Sequence, residues 1–407
     1  MATKQFSFAD LNKEMSKSSE YGDTMDKSTI SEINHYIPTG NYMLNMCFTG
    51  SLFKGYPNNR AVALAGPSGT GKTYLILNGI KEAQNMGYSV IFYDSENAVD
   101  RELVEKFGID PKLFRYEPCN TVQEFRTSVT AITDTLIEQK NKGVELPKIM
   151  VVLDSAGNLA TQKEVEDAKS GSGKADMTRA KLLKSTFRIL MTKLGICKIP
   201  LLFTNHTYQT QDLFSKQVGG GGTGPEYAAS IIMFLGKAKL KDKAEGDGKE
   251  QTGIIVAARP NKNRFARPKP VKFHISFNKG MNPYVGLEEY ITWENCKIGR
   301  GKFLLEKDFR KLSPGDQANC KEHRFEEDGV TKTLWFQARD TSRKMCVGHL
   351  NTEVPVNQLF TSTVITQEVL EALDPIIGAD FNYGTDEISA ENFSEMLEDT
   401  VDGNENN

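Results

Sequence analysis

Residues 66–73 read Gly66-Pro67-Ser68-Gly69-Thr70-Gly71-Lys72-Thr73, the spacing G-x-x-x-x-G-K-[ST]. Residues of these types in this order can hold a polyphosphate. The glycines let backbone N–H groups converge on phosphate oxygens. A helix starting behind them adds the positive end of its dipole. Lys72 reaches the β- and γ-phosphates and the Thr73 hydroxyl ligates Mg2+. The ligand implied is ATP with Mg2+. Downstream, the apolar run Lys148-Ile149-Met150-Val151-Val152-Leu153-Asp154 ends in a carboxylate placed to hold the metal through water. Asp154 is followed by Ser155 and Ala156, not by Glu. A base that activates water must therefore come from elsewhere. Glu96, in Ile91-Phe92-Tyr93-Asp94-Ser95-Glu96, follows another apolar run and is the candidate. Read in isolation, Glu96 is an ordinary acid in a strand–helix loop.

The elements that must position these groups alternate. Val62–Ala65, Val90–Tyr93, Ile149–Leu153, Leu201–Thr204, Ile231–Leu235, Ile254–Ala257 and Val271–Phe277 are apolar and rich in β-branched residues, as buried strands are. Tyr74, Leu75, Leu77 and Ile80 predict a helix directly behind the Gly-rich loop. Val122, Phe125, Val129, Ile132 and Leu136 recur at steps of three and four, and Thr121 with Glu124 forms a capping box before them. Strands alternating with helices predict a mostly parallel sheet covered on both faces. Near the N-terminus, Ser7 and Asp10 resemble a second capping box, and Phe8, Leu11 and Met15 share a face. An arm with one apolar face has either a neighbouring subunit or its own domain to dock on. After about residue 286 the pattern weakens into a smaller mixed region. Beyond about 385 the Asp/Glu/Asn/Ser composition predicts disorder.

Composition narrows the class. No apolar run approaches the roughly 18–20 residues of a membrane span, and mean hydropathy is -0.44. No signal peptide is evident at the N-terminus. The six cysteines are scattered without a CxxC, which makes a disulfide framework or zinc site an unfavoured reading and a reducing cytoplasm the expected location. The net charge of -3 hides an asymmetry. Lys344 is the last basic residue, so residues 1–344 carry 50 basic against 40 acidic side chains and the remainder carries 13 acids. A basic body with an acidic tail suits a nucleic-acid binder, and equally a chain with a solvated polar terminus.

These motifs together resemble the RecA-type recombinases, and among them the bacteriophage UvsX type. The resemblance covers roughly residues 35–290. It includes Ile37-Pro38-Thr39-Gly40, the 66–73 loop, Tyr93-Asp94-Ser95-Glu96 and Leu153-Asp154-Ser155-Ala156-Gly157-Asn158-Leu159-Ala160. It continues through Asp176-Met177-Thr178-Arg179-Ala180-Lys181, Thr204-Asn205-His206-Thr207-Tyr208, the Gly219–Gly224 run and Asn282-Pro283-Tyr284-Val285-Gly286-Leu287. The 66–73 loop is more regular than the familiar phage form.

The resemblance implies a fold and a set of roles. The fold class is α/β, a RecA-like P-loop ATPase core. The implied division is an oligomerisation arm (1–35), an ATPase and DNA-binding core (36–288), a C-terminal domain (289–384) and an acidic tail (385–407). Glu96 polarises the attacking water, and His206 occupies the γ-phosphate sensor position. Lys262 and Arg264 resemble a basic pair that reaches the neighbouring subunit's ATP. Phe277 resembles a ring near the adenine, and Tyr227 a subunit-contact residue. Two Gly/Ser-rich loops, about 167–179 and 207–227, are the implied DNA contacts, through Lys169, Lys174, Met177 and Arg179 in the first and Phe214, Lys216, Gly220, Gly221 and Gly222 in the second. Either loop could pack on the domain instead.

The implied activity is DNA-dependent ATP hydrolysis coupled to strand exchange in recombination, repair and replication. The implied partners are single- and double-stranded DNA, further copies of the chain in a helical filament, and single-strand-binding and loader proteins. The location is then a host cytoplasm if the chain is of phage origin. A hexameric RecA-fold helicase shares most of these features. A small-molecule kinase explains the 66–73 loop but not the glycine run or the cluster Arg259, Lys262, Arg264, Arg267, Lys269 and Lys272. A regulator with a degenerate site conflicts with an intact Lys72, Thr73, Asp154 and Glu96.

Overall fold

The computed structural model describes residues 6–19, 21–28, 30–170, 178–209, 217–219, 228–241 and 250–384. Among these, nine strands make one sheet: β1 (Ala61–Ala65), β2 (Ser89–Asp94), β3 (Phe114–Pro118), β4 (Ile149–Asp154), β5 (Leu201–Asn205), β6 (Ile231–Lys241), β7 (Gln251–Asn263), β8 (Val271–Ser276) and β9 (Gly280–Met281). The helices used below are α1 (Phe8–Met15), α2 (Tyr42–Thr49), α3 (Lys72–Asn85), α4 (Val122–Asn141), α5 (Gln162–Ser170), α6 (Arg179–Ile196) and α7 (Gln367–Phe381). The strand order is β9-β8-β7-β6-β1-β5-β4-β2-β3. From β6 to β3 every pairing is parallel. From β6 to β9 the pairings are antiparallel.

Burial on two faces explains the apolar runs. Val62 and Leu64 of β1 enter one core with Leu75, Ile76 and Ile80 of α3. Ala61 and Ala63 enter the other with Phe125 and Val129 of α4 and Phe187 and Leu190 of α6. Helix α4 starts where its capping box predicts: the Glu124 N–H donates to Thr121 Oγ1 at 3.2 Å and the Thr121 N–H to Glu124 Oε2 at 3.0 Å. Helix α1 also carries its predicted box. None of its residues is buried, and Phe8 and Met15 are 70% and 56% exposed.

A second sheet follows: β10 (Ile298–Leu305), β11 (Cys320–Glu327), β12 (Val330–Ala338), β13 (Lys344–Val347) and β14 (Thr352–Pro355), in the order β11-β12-β10-β13-β14. Its own small core is Trp293, Phe336 and Cys346. Helix α7 then returns to the larger core, where Leu370, Leu373, Ile377 and Phe381 join Leu44 and Phe48 of α2.

Two expectations are corrected. The loop expected to open at Asp167 starts later, because α5 runs to Ser170. Thr161 caps its start, with the Glu164 N–H on Thr161 Oγ1 at 3.0 Å, and no glycine interrupts it before Gly171. The segment expected as a loop from Thr207 holds two short antiparallel strands, Thr207–Gln209 and Gln217–Gly219. Among the described residues, no helix is long and apolar enough to cross a membrane.

Candidate functional site

The site gathers at the C-terminal ends of the parallel strands, where open α/β sheets hold ligands. β1 ends at Ala65, and the 66–73 loop turns directly into α3. Gly71 caps that helix with φ +87, a left-handed conformation that favours glycine. Thr70 Oγ1 closes the loop on the Pro67 carbonyl at 2.9 Å. Lys72 is 7% exposed, and its ammonium donates to the Gly66 and Pro67 carbonyls at 2.9 and 3.0 Å. Burial pushes Lys72 below the ordinary lysine range, while Glu96 and Asp154 oppose the shift and Lys237 adds to it.

β4 delivers Asp154, which is 1% exposed. Thr73 Oγ1 donates to its Oδ2 at 2.8 Å, and Thr204 Oγ1 of β5 donates to its Oδ1. Burial drives this carboxyl above the ordinary aspartate range, against both hydrogen bonds. A buried carboxylate beside a threonine hydroxyl is a donor set that a hard cation satisfies, so Thr73 and Asp154 fit Mg2+.

β2 delivers Glu96 through a loop fixed by Asp94. Asp94 Oδ1 accepts the Glu96 N–H at 2.9 Å, and Oδ2 accepts Ala98 N–H at 3.1 Å, Val99 N–H at 3.3 Å and the Tyr116 hydroxyl at 3.3 Å. The Ser95 N–H donates to the Asp154 carbonyl at 2.8 Å and ties the ends of β2 and β4 together. Glu96 Oε1 lies 2.7 Å from His206 Nε2, just beyond β5. Burial works against the Glu96 charge. The Ser155 and His206 side chains and the Lys72 charge outweigh it and hold the carboxyl below the ordinary glutamate range. Lys72, Thr73, Glu96, Asp154 and His206 thus share one site, fed by four parallel strands and α3.

Lys262 and Arg264 do not join it. The register sets Lys262 opposite Ile232 and Asn263 opposite Ile231, and Ile231 lies opposite Val62. Arg264 therefore stands level with the N-terminal end of β1, roughly 15 Å along the strand direction from its own phosphate loop. It lies near Arg60, whose guanidinium is held below the ordinary arginine range by burial and by the Arg264 charge. Phe277 is 63% exposed and flanks the loop beyond β8, with its N–H on the Thr252 carbonyl at 2.9 Å.

Lys169 is exposed in the last turn of α5. Arg179 turns inward at the start of α6 and donates from Nη2 to the Gly157 carbonyl. Lys174, Met177, Phe214, Lys216, Gly220, Gly221, Gly222 and Tyr227 lie outside the described residues. Sequence reasoning missed Asp94, Thr204 and Lys237. Lys237, on β6, donates to the Ser68 carbonyl at 2.9 Å. A carboxylate ending the run Val90–Tyr93, as Asp154 ends its own run, was the available signal for Asp94.

A phosphate loop between a parallel strand and a helix, with a buried carboxylate on a nearby strand, defines a nucleotide-binding α/β protein. The chain belongs to the RecA family: the RecA N-terminal domain model matches residues 5–282. Among its relatives, the "Recombination and repair protein" of Enterobacteria phage T4 is 34% identical over 248 residues, 60% of each chain. The match therefore spans less than two thirds of that relative's length. "Protein RecA" of Bacteroides thetaiotaomicron is 28% identical over 284 residues, covering 65% of this chain and 80% of the relative. "Protein RecA" of Streptomyces rimosus is 28% identical over 291 residues, covering 67% and 72%.

Proposed function

We propose that this chain is an ATP-dependent DNA strand-exchange recombinase that works as a helical filament on single-stranded DNA. The observation that carries the reading is the separation of Arg264 from the phosphate loop across one sheet. In this reading a basic residue at the far end serves a neighbour's nucleotide, and head-to-tail contacts of this kind that do not close build filaments. The names of the phage and bacterial relatives and the basic body of the chain support the same role.

In this reading the 66–73 loop and Lys72 hold the triphosphate, and Phe277 flanks the base. Thr73 and Asp154 would hold Mg2+, which would supply charge neutralisation at the phosphates. Glu96 takes the proton of the attacking water as its oxygen bonds to the γ-phosphorus and the phosphoanhydride breaks. His206 senses the γ-phosphate and passes that state to residues 207–227. Lys262 and Arg264 of the next subunit offset the charge that develops on the leaving and transferring groups, as an arginine finger does. Lys169 and the segments 171–177 and 210–227 meet DNA, the exposed face of α1 docks on a neighbouring subunit, and Tyr227 lies at a subunit contact.

ATP turnover measured with and without single-stranded DNA tests the proposal. DNA raises turnover if the reading is right, and a rate indifferent to DNA defeats it. Electron microscopy with single-stranded DNA and a non-hydrolysable ATP analogue separates an open filament from a closed ring, the form a hexameric motor would take.

A further inference from the structure

Strand β6 outruns the strand beside it. Its pairing with β1 ends at Phe234 and Ala65, yet β6 continues to Lys241. The overhanging part runs alongside the phosphate loop, close enough that a Cβ added at Gly66 would fall 2.5 Å from the Leu235 carbonyl oxygen. Lys237 shares a strand face with Met233 and Leu235, both packed in the core that includes α3. Its ammonium donates to the Ser68 carbonyl at 2.9 Å. Lys72 occupies the two preceding carbonyls, those of Gly66 and Pro67. Two ammonium groups therefore hold three successive carbonyls of the loop.

Peptide geometry converts this contact into a consequence. In a trans peptide the C=O and the following N–H point in opposite directions. Holding the Ser68 oxygen on one side fixes the Gly69 N–H on the other. Gly69 has φ +72, the left-handed region that favours glycine, and the position of its absent Cβ lies 2.6 Å from Lys237 Nζ, so the lysine end sits directly against this residue.

We propose that Lys237 is a positioning residue for nucleotide binding: its ammonium orients the Ser68–Gly69 peptide so that the Gly69 N–H donates to a phosphate of the bound nucleotide. The inference rests on residues 66–73 being a nucleotide site. It acts through the loop and not on the terminal phosphate, so it serves ADP and ATP alike.

The test titrates the full chain, Lys237→Met and Lys237→Arg with fluorescent ADP and ATP analogues in Mg2+ buffer. Low- and high-salt conditions are compared, and thermal melts confirm that each variant is folded. Lys237→Met weakens both nucleotides by about three- to tenfold, the scale of one charge-assisted hydrogen bond. Lys237→Arg recovers most of the loss, and the loss persists when salt screens long-range charge. Unchanged affinity in Lys237→Met overturns the inference. So does a loss confined to ATP, which marks a direct γ-phosphate contact, or a loss that vanishes in high salt. A parent chain that binds neither nucleotide overturns the reading of residues 66–73 instead.

Discussion

His206 Nε2 and Glu96 Oε1 stand 2.7 Å apart, each side chain 22% exposed. A carboxylate only accepts, so the ring nitrogen donates the hydrogen of this contact. The sensor and the base of the proposed reaction are therefore in hydrogen-bond contact, and moving one releases or recaptures the other. Glu96→Gln keeps the shape and removes the base. It lowers ATP turnover by about a hundredfold or more while nucleotide affinity stays close to that of the parent. Single-turnover hydrolysis alongside equilibrium binding checks this. A Glu96→Gln protein with full turnover removes Glu96 from the chemistry.

The placement of Arg264 allows a mixing experiment. Lys262→Ala and Glu96→Gln are each deficient in DNA-stimulated hydrolysis. In an equimolar mixture, roughly a quarter of head-to-tail junctions pair an intact Glu96 with an intact Lys262 from the next subunit. Turnover then recovers toward that fraction. If Lys262 served its own subunit, no mixture would recover anything.

Helix α7 is tied to the core at its last turn. Lys269 Nζ lies 2.7 Å from Asp380 Oδ2, and the Tyr290 hydroxyl donates to the same oxygen at 2.9 Å. Lys269 and Tyr290 hold the Asp380 carboxyl below the ordinary aspartate range. Asp380 and Tyr290 hold the Lys269 ammonium above the ordinary lysine range. A lowered acid stabilises above its unfolded pKa and loses that contribution as pH falls through the folded one. A raised base stabilises below its unfolded pKa and loses that contribution as pH rises through the folded one. The contact therefore operates from mild acid, above the ordinary aspartate range, into alkali, and fails at both extremes. Both side chains are about half exposed, so solvent screening limits it to less than about 1 kcal/mol. Denaturant unfolding of Asp380→Asn shows a small loss at pH 7 that disappears near pH 2.

The acidic terminus and the basic body suggest competition for DNA. Deleting residues 386–407 tightens duplex binding at low salt, and the difference shrinks as salt rises. Equal affinities for the two chains across a salt series dismiss a gating role for the tail.

Legibility in the sequence followed the range of the interactions. The phosphate loop, Asp154 and the α4 capping box are local patterns, and each stands where its spacing predicts. Glu96 is a candidate by elimination, because no acid follows Asp154, and its side chain meets His206 at 2.7 Å. Strand β3 escaped because it is an edge strand, Phe-Arg-Tyr-Glu-Pro, half exposed and without an apolar run. The far end of β6 escaped because Lys237, Lys239 and Lys241 interrupt the hydrophobic signal while its pairing with β7 continues. Lys237 escaped for a further reason: its partner Ser68 is 169 residues away. The return of α7 to the main core was equally hidden, since nothing between residues 289 and 366 announces which surface that helix will cover.

One sheet spans the distance between the phosphate loop and Arg264, with hydrogen-bonded strands the whole way. It acts as a ruler. In any stack that seats Arg264 of one subunit on the nucleotide of the next, strand length is the main span between successive ATP molecules. A single residue inserted into β6 would invert its faces past the insertion and change the ruler's length together. In the proposed filament the repeat is in this sense written into the number of residues in the central strands.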